Sequence, residues 1–167
     1  MDKNVLAVGS KVFQTYFQDE NLDSIEIVDV TPNEMIELLQ FLYPQFQCTI
    51  NNQNVTILLI LAHRFELNFV VLACRTFILL YLSKLKLING LIEQDDGIRL
   101  SIFSILENLC IWFREFSFNN DIFACETILN KLSQCQIKNI LSSNGFIDLD
   151  EKIKWKIFQA RTKYLEQ

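Results

Sequence analysis

Residues 25–44, "IEIVDVTPNEMIELLQFLYP", contain the clearest structural pattern of the chain. Ile25 and Ile27 alternate with polar residues, and this alternation predicts a short, half-buried strand. At Thr31 the period of the apolar residues changes from that of a strand to that of a helix. The segment therefore predicts a strand followed directly by a helix.

The helix predicted in this segment has a well-defined start and end. Thr31 can cap it, Pro32 falls at the first helical position, and Glu34 stands three residues after the cap, which is the spacing of a capping box. The apolar residues on one face of this helix are Met35, Leu38, Leu39 and Leu42. Pro44 prevents the helix from continuing beyond Tyr43.

The next segments predict one more strand and two apolar helices. Cys48–Ile50 has the pattern of a second short strand, and the turn-like "NNQN" follows it. Residues 55–65 and 69–82 are apolar on nearly every side, which is typical of enclosed helices. We predict that these two helices pack as a hairpin at the centre of the first half.

The second half of the chain is predicted to be entirely helical. Helices are expected over residues 84–93, 98–116 and 121–132. Asp148 and Glu151 repeat the capping pattern before a last helix, whose apolar face comprises Ile153, Ile157, Ala160 and Tyr164. The basic residues of that helix are Lys152, Lys154, Lys156, Arg161 and Lys163. They are interpreted as a solvated face, with a surface for an acidic partner as the alternative.

Charge and hydropathy exclude several classes of function. The chain has 20 acidic and 15 basic residues, a net charge of -5, and a pI near 4.9, which argues against a nucleic-acid partner. Polar residues interrupt the most apolar stretch, Val55–Leu82, before it reaches the roughly 18 residues of a membrane span. The amino terminus is too short in its apolar part for a signal peptide. No membrane association is expected.

The cysteines indicate a reducing compartment. There are 5 cysteines and 1 histidine, with no pair at Cys-x-x-Cys spacing, so no tetrahedral zinc site is predicted. Cys74 and Cys110 fall within apolar helices and are interpreted as core thiols. This usage favours an intracellular protein, cytoplasmic or nuclear, without a metal or other cofactor.

His63 and Arg64 interrupt the apolar stretch "LLILAHRFEL" and are the strongest candidates for a catalytic pair. A catalytic base needs a nucleophile and an orienting group within hydrogen-bond reach, and the sequence contains no nucleophile motif or phosphate-binding glycine loop. We therefore interpret both residues as the polar rim of a buried helix, and we predict no catalytic residues.

Three motifs in the first half, in order, resemble the BTB (POZ) domain. "VLAVGSKVFQTYF" resembles that family's first helix pair, through Leu6, Ser10, Phe13 and Phe17. The segment of residues 25–44 resembles its strand, helix and aromatic-x-Tyr ending, here Phe41-Leu42-Tyr43. "LAHRF" and the following Cys74 are similar to the succeeding helix pair. The Tyr-Pro pair at residues 43–44 is similar to the nematode branch of the family.

The resemblance implies an α+β fold with a specific organisation. Residues 1–83 are expected to form a BTB-like helical cluster with a small sheet, and residues 84–167 a helical carboxy-terminal extension. Family members usually begin with two strands ahead of the first helix pair, whereas this sequence starts almost at that pair. The sheet is therefore expected to be shortened, with an edge that the extension or a partner covers.

The resemblance also implies function through protein contacts. BTB domains commonly dimerise, and many bind a cullin and present a substrate to a ubiquitin ligase. Cullin contacts are expected at Phe17, in the loop Asn21-Leu22-Asp23, and at Tyr43. Asp23 matches the acidic residue of that loop, but Asn21 replaces its apolar anchor, and Leu22 substitutes for the anchor only if the loop shifts.

Three hypotheses follow from the sequence. The first is a non-enzymatic adaptor between a cullin and a ubiquitylation substrate. The second is a BTB-derived dimerisation or scaffold module that does not bind a cullin. The third is a small helical enzyme with a site assembled from distant residues, which a deep polar pocket lined by His63 would support.

Overall fold

The computed structural model describes residues 3–18, 24, 26–88, 91–93 and 102–166. The chain divides into two compact units, Met1–Phe77 and Ile78–Gln167.

The first unit consists of helices around an apolar core. Its elements are α1 (Lys3–Gly9), α2 (Lys11–Tyr16), α3 (Pro32–Leu42), a 3-10 turn (Pro44–Phe46), α4 (Val55–Arg64) and the first part of α5 (Asn68–Lys84). α1 packs against α2, and α3 packs against α4. The predicted helix of residues 31–43 is confirmed: Thr31 Oγ1 accepts a hydrogen bond from Glu34 N (3.3 Å), and Glu34 Oε2 accepts one from Thr31 N (2.7 Å).

The central apolar helix α4 is also confirmed. Leu58, Leu59, Leu61 and Ala62 are fully or almost fully buried, as is Val55 at its first turn. Burial of side chains of this size contributes on the order of 1.5–3 kcal/mol each, so this helix supplies much of the apolar core.

The predicted strands of the first unit are not found in its described residues. Ile25 lies outside those residues, and residues 26–27 and 48–50 adopt no strand conformation. Backbone carbonyls in or next to these segments bond to side chains instead: Asn54 Nδ2 donates to Thr49 O (3.0 Å), and the Arg64 guanidinium donates to the carbonyls of Val28 and Asp29, directly after residues 26–27. These carbonyls are therefore paired without a neighbouring strand. Alternation of apolar and polar residues does not by itself produce a sheet here.

The second unit is a helical bundle that follows a short hairpin. Its elements are the end of α5, β1 (Lys86–Ile88), β2 (Leu91–Glu93), α6 (Ile102–Phe118), α7 (Ile122–Gln134), α8 (Ile137–Leu141), α9 (Asn144–Ile147) and α10 (Glu151–Leu165). α6 packs against α7, α8 and α9, and α10 packs against α7. The predicted helices over residues 121–132 and after residue 151 are confirmed.

Two predictions for the second half are wrong. Residues 84–93 contain an antiparallel hairpin, with Leu87 opposite Ile92, rather than a helix. An Asn-Gly pair separates the two strands in the sequence, and this pair is the strongest short-range indication of a hairpin. The cap of α10 is Asp150 rather than Asp148, because Asp150 Oδ1 accepts a hydrogen bond from Ile153 N at 2.9 Å.

Candidate partner-binding surface

Phe17 is held at the end of α2 by an aromatic stack. Its ring lies nearly parallel to that of Phe13, with centroids 6.0 Å apart, and Phe13 stacks on Phe65 at 4.6 Å. Phe13 is only 2% exposed, whereas Phe17 is partly exposed. Phe17 is therefore held against the core through Phe13, and part of its side chain stays exposed.

Ser10 fixes the position of this stack. Its hydroxyl accepts a hydrogen bond from Phe13 N (3.0 Å) and donates one to the carbonyl of Phe65. The same side chain therefore caps α2 and joins it to the residue that ends α4. This arrangement orders the aromatic residues of α2 before any partner binds.

Tyr43 is the second predicted contact residue that the structure describes. It ends α3, its backbone N–H donates to Leu39 O (3.0 Å), and it is partly exposed. Pro44 begins the 3-10 turn immediately after it. The backbone of Tyr43 is thus fixed by a helix on one side and by a proline on the other.

The predicted loop Asn21-Leu22-Asp23 lies outside the described residues. The structure accordingly places Phe17 and Tyr43, each at the carboxy-terminal end of a helix in the first unit. The substitution of Asn21 for an apolar anchor stays an observation from the sequence.

His63 and Arg64 lie in the last turn of α4. The Arg64 guanidinium donates to the carbonyls of Val28 and Asp29 and lies 5.8 Å from the centroid of the Phe65 ring. Asp29 has a positive φ of 57°, and the hydrogen bonds from Arg64 hold this left-handed turn ahead of α3. Arg64 therefore has a structural role, which a sequence pattern restricted to α4 does not reveal.

Comparisons with known proteins agree with this helical arrangement. The BTB/POZ domain family matches residues 1–81. Residues 1–81 belong to the BTB/POZ domain family. The chain is also similar to the BTB and MATH domain-containing protein 36 of Caenorhabditis elegans, with 39% identity over 113 residues. That match covers 65% of this chain and 33% of the relative's length.

The BTB match implies a role in protein–protein contacts for residues 1–81. Domains of this family act as protein–protein interaction modules and are generally not enzymes. The match to the nematode protein is longer than the 81 residues of the domain, so it extends into the second half of this chain.

The thiols of the chain are consistent with a structural role. Burial raises the pKa of Cys74, in the BTB domain, and of Cys110, in the second unit, from 9.0 to about 12 in each case. Burial also raises the pKa of Cys135 to about 11, although Arg161 and Lys131 act in the opposite direction. Because thiolates are the reactive form, these three cysteines have little nucleophilic character near neutral pH.

In the part of the chain that the structure describes, no three or more His, Cys, Asp or Glu side chains form a group able to hold a metal ion. Among the same residues, no helix combines the length and apolar character needed to span a membrane.

The BTB domain carries an exposed apolar patch that the sequence reading did not single out. Val8 on α1 is 90% exposed, and Leu72 on α5 is 61% exposed. Val5 and Phe69 are exposed on the same two helices, and a Cβ atom added to Gly9 would lie 3.2 Å from the Phe69 ring. We name these four exposed residues the α1–α5 patch. The spacing of three residues between Val5 and Val8, and between Phe69 and Leu72, is the sequence signal that could have indicated it.

Proposed function

We propose that this chain is a non-enzymatic adaptor that binds a cullin through its BTB domain and holds a ubiquitylation substrate. The observation that carries the proposal is the BTB match over residues 1–81. We assign the cullin contacts within it to Phe17 and Tyr43. Ligase chemistry would reside in other subunits.

The geometry of Phe17 and Tyr43 supports this role. Aromatic residues at the centre of an interface often contribute a large share of its binding energy, provided that they enter a desolvated pocket. Phe17 stacks on Phe13, which in turn stacks on Phe65, so little side-chain entropy is lost when a partner covers Phe17. Tyr43 combines an apolar ring with a hydroxyl, which suits a partly polar interface.

The two halves of the chain would have separate tasks. We assign cullin binding to residues 1–83 and substrate binding to residues 84–167, within the cytoplasm or nucleus. This division follows from the family match, which ends at residue 81, and from the helical bundle that follows it.

Calorimetric titration with the amino-terminal domain of a cullin tests the proposal. We expect binding with a Kd in the micromolar range or tighter, and a loss of about tenfold or more for Phe17→Ala and for Tyr43→Ala, since a lost hot spot costs about 2 kcal/mol. Phe103→Ala is the matched control, because Phe103 is an exposed aromatic residue of α6. Circular dichroism confirms that each variant is folded.

Two results would contradict cullin binding. One is the absence of heat and of co-elution with folded wild-type chain. The other is a loss of affinity in Phe103→Ala as large as that in Phe17→Ala, which would show that any exposed aromatic substitution has the same effect.

A second candidate function, a dimerisation module without cullin binding, is favoured by the α1–α5 patch. An uncharged patch of this kind is typical of surfaces that another chain covers. Light scattering after size exclusion measures the mass directly. We expect a dimer that Val8→Glu converts to monomer, whereas Val28→Glu, at an exposed valine outside the patch, leaves the dimer intact. A monomeric wild-type chain would refute this function.

A further inference from the structure

The surface of α10 contains a groove that the BTB match does not explain. The groove has a volume of ≈ 660 Å³ and lies within the second unit, between the exposed side of α10 and Leu129 of α7. Its apolar lining includes Leu129, Trp155, Phe158 and Ala160. Cavities of this volume are typical of sites for small molecules or single side chains.

Trp155 is the most unusual residue of this groove. It is 63% exposed, although tryptophan is on average one of the most buried residue types. The α10 positions that pack inward are occupied by Ile153 and Ile157, so Trp155 is not needed for the core. A large exposed indole beside an open groove is the type of residue that dominates the binding energy of an interface.

The charged residues around the groove divide into two groups. Lys154 pairs with Glu151 at 3.1 Å, and the Arg161 guanidinium donates to the carbonyl of Ser133 at the end of α7. These two basic residues stabilise the unit itself. The remaining ones, Lys152, Lys156 and Lys163, have exposed side chains.

The three exposed lysines form one stripe along α10. Positions 152, 156 and 163 fall within about 40° of one another around a helix. Within residues 102–166, the ion pairs Arg114–Glu115 and Lys154–Glu151 do not include a lysine of the stripe. Burial raises the pKa of Cys125 on α7. The ammonium of Lys156 has a smaller effect and lowers this pKa.

The local charge is opposite to that of the whole chain. α10 and Glu166 together carry five of the 15 basic residues and two of the 20 acidic ones, so this surface is positive on a chain of net charge -5. Acidic groups also lie on these two helices: Asp150 and Glu151 at the start of α10, Glu126 on α7, and Glu166, which lines the groove.

We propose that the groove of α7 and α10 binds an acidic helical segment of a partner protein, with an apolar side chain placed against Trp155 and carboxylates placed against Lys156 and Lys163. Two carboxylates seven residues apart on a helix are about 10 Å apart along its axis, which equals the spacing of these two lysines on α10. Nucleic acid fits less well, because its phosphates would continue along the groove to Glu166, whereas the carboxylates of a short segment end at Lys163.

Fluorescence anisotropy with the full chain tests this site. The probe is a fluorescein-labelled peptide of about four helical turns, made of Glu, Leu and Ala, with Leu on one face and Glu at both edges of that face. One control peptide carries Gln in place of Glu, and another carries Ala in place of Leu. We expect saturable binding of the probe, weaker by about tenfold or more for each control peptide.

Variants of the chain locate the binding site. Lys156→Glu/Lys163→Glu and Trp155→Ala should each weaken binding of the probe by about tenfold, and added salt should weaken it in the wild type. Lys11→Glu, at an exposed lysine of α2 that does not line the groove, should leave the Kd within about twofold. Circular dichroism checks the fold of each variant.

Three results would overturn the proposal: no saturable binding of the probe, equal binding of the Gln peptide, or an unchanged Kd in both groove variants. Displacement of the probe by a single-stranded oligonucleotide at equal affinity would assign the surface to nucleic acid instead. The assay contains no cullin, so its outcome is independent of the calorimetric test of the BTB domain.

Discussion

At the scale of single residues, Phe13 is the residue on which the first unit most depends. Its ring contacts Phe17, Phe65 and Tyr16, and its backbone N–H bonds to Ser10. We predict that Phe13→Ala lowers the free energy of unfolding by about 3–5 kcal/mol, because it leaves a cavity in the centre of the stack. Urea denaturation monitored by circular dichroism measures this loss.

The matched control for Phe13 is an exposed phenylalanine of the same unit. Phe46 is 55% exposed, and we expect Phe46→Ala to change the free energy of unfolding by less than about 0.5 kcal/mol. If the two substitutions destabilised the chain equally, the stack would not be the structural support that it is inferred to be.

At the scale of elements, the capping box of α3 makes a local contribution that can be measured. Removal of the Thr31 hydroxyl takes away the acceptor for Glu34 N. We predict that Thr31→Ala lowers the free energy of unfolding by about 1 kcal/mol. Thr31→Ser should keep most of the stabilisation from the cap, because serine retains the hydroxyl. A thermal melt of the three chains distinguishes loss of the cap from loss of the threonine methyl group, since an equal loss in both variants would exclude the cap.

The contact between α9 and α6 requires glycine. A Cβ atom added at Gly145 would lie 2.7 Å from the backbone oxygen of Glu107 and 2.9 Å from its Cα. We predict that Gly145→Ala destabilises the chain by about 1–3 kcal/mol, because the backbone of α6 cannot yield as a side chain can. Chemical denaturation measures this change.

Gly9→Ala is the comparison for Gly145→Ala. The nearest atom to its added Cβ would be Phe69 Cε1, at 3.2 Å, on a half-exposed side chain that is able to move. Alanine also favours the helix, so a smaller change, within about 1 kcal/mol, is expected. A larger loss at Gly9 than at Gly145 would contradict this account of the two contacts.

At the scale of the whole molecule, buried thiols make stability depend on alkaline pH. The folded chain holds the pKa of Cys74 and Cys110 at about 12, whereas an exposed thiol titrates near 9.0. Above pH 9 the unfolded state therefore binds fewer protons than the folded state, and the free energy of unfolding falls until about pH 12. This contribution is fully present below pH 9.

Urea denaturation at pH 8 and pH 10.5 checks this prediction. We expect the fall in stability between the two pH values to be smaller in Cys74→Ala than in wild type, because one raised thiol is removed. Val70→Ala, at another fully buried position of α5, should be destabilised at both pH values yet keep the wild-type pH dependence. Equal pH dependence in wild type and Cys74→Ala would refute the role of this thiol.

Features that depend only on neighbouring residues could be predicted from the sequence. The capping box at Thr31 and Glu34 and the apolar pattern of α4 were predicted correctly, because their hydrogen bonds and faces repeat within one helix. The motifs of the first half also indicated the BTB family, which the comparison of residues 1–81 confirms. The Asn-Gly pair before β2 indicates a hairpin locally, whereas the apolar pattern of residues 84–93 led to the prediction of a helix.

Contacts between residues far apart in the chain could be identified only in the folded structure. Phe13 stacks on Phe65, the Arg64 guanidinium satisfies the carbonyl of Asp29, and Lys131 Nζ donates to Leu85 O at 2.8 Å. No sequence period encodes such contacts, because each forms only after the intervening helices have packed. The same reason explains why the strand predicted at Cys48–Ile50 failed, since a strand needs a partner edge and this segment bonds to Asn54 instead.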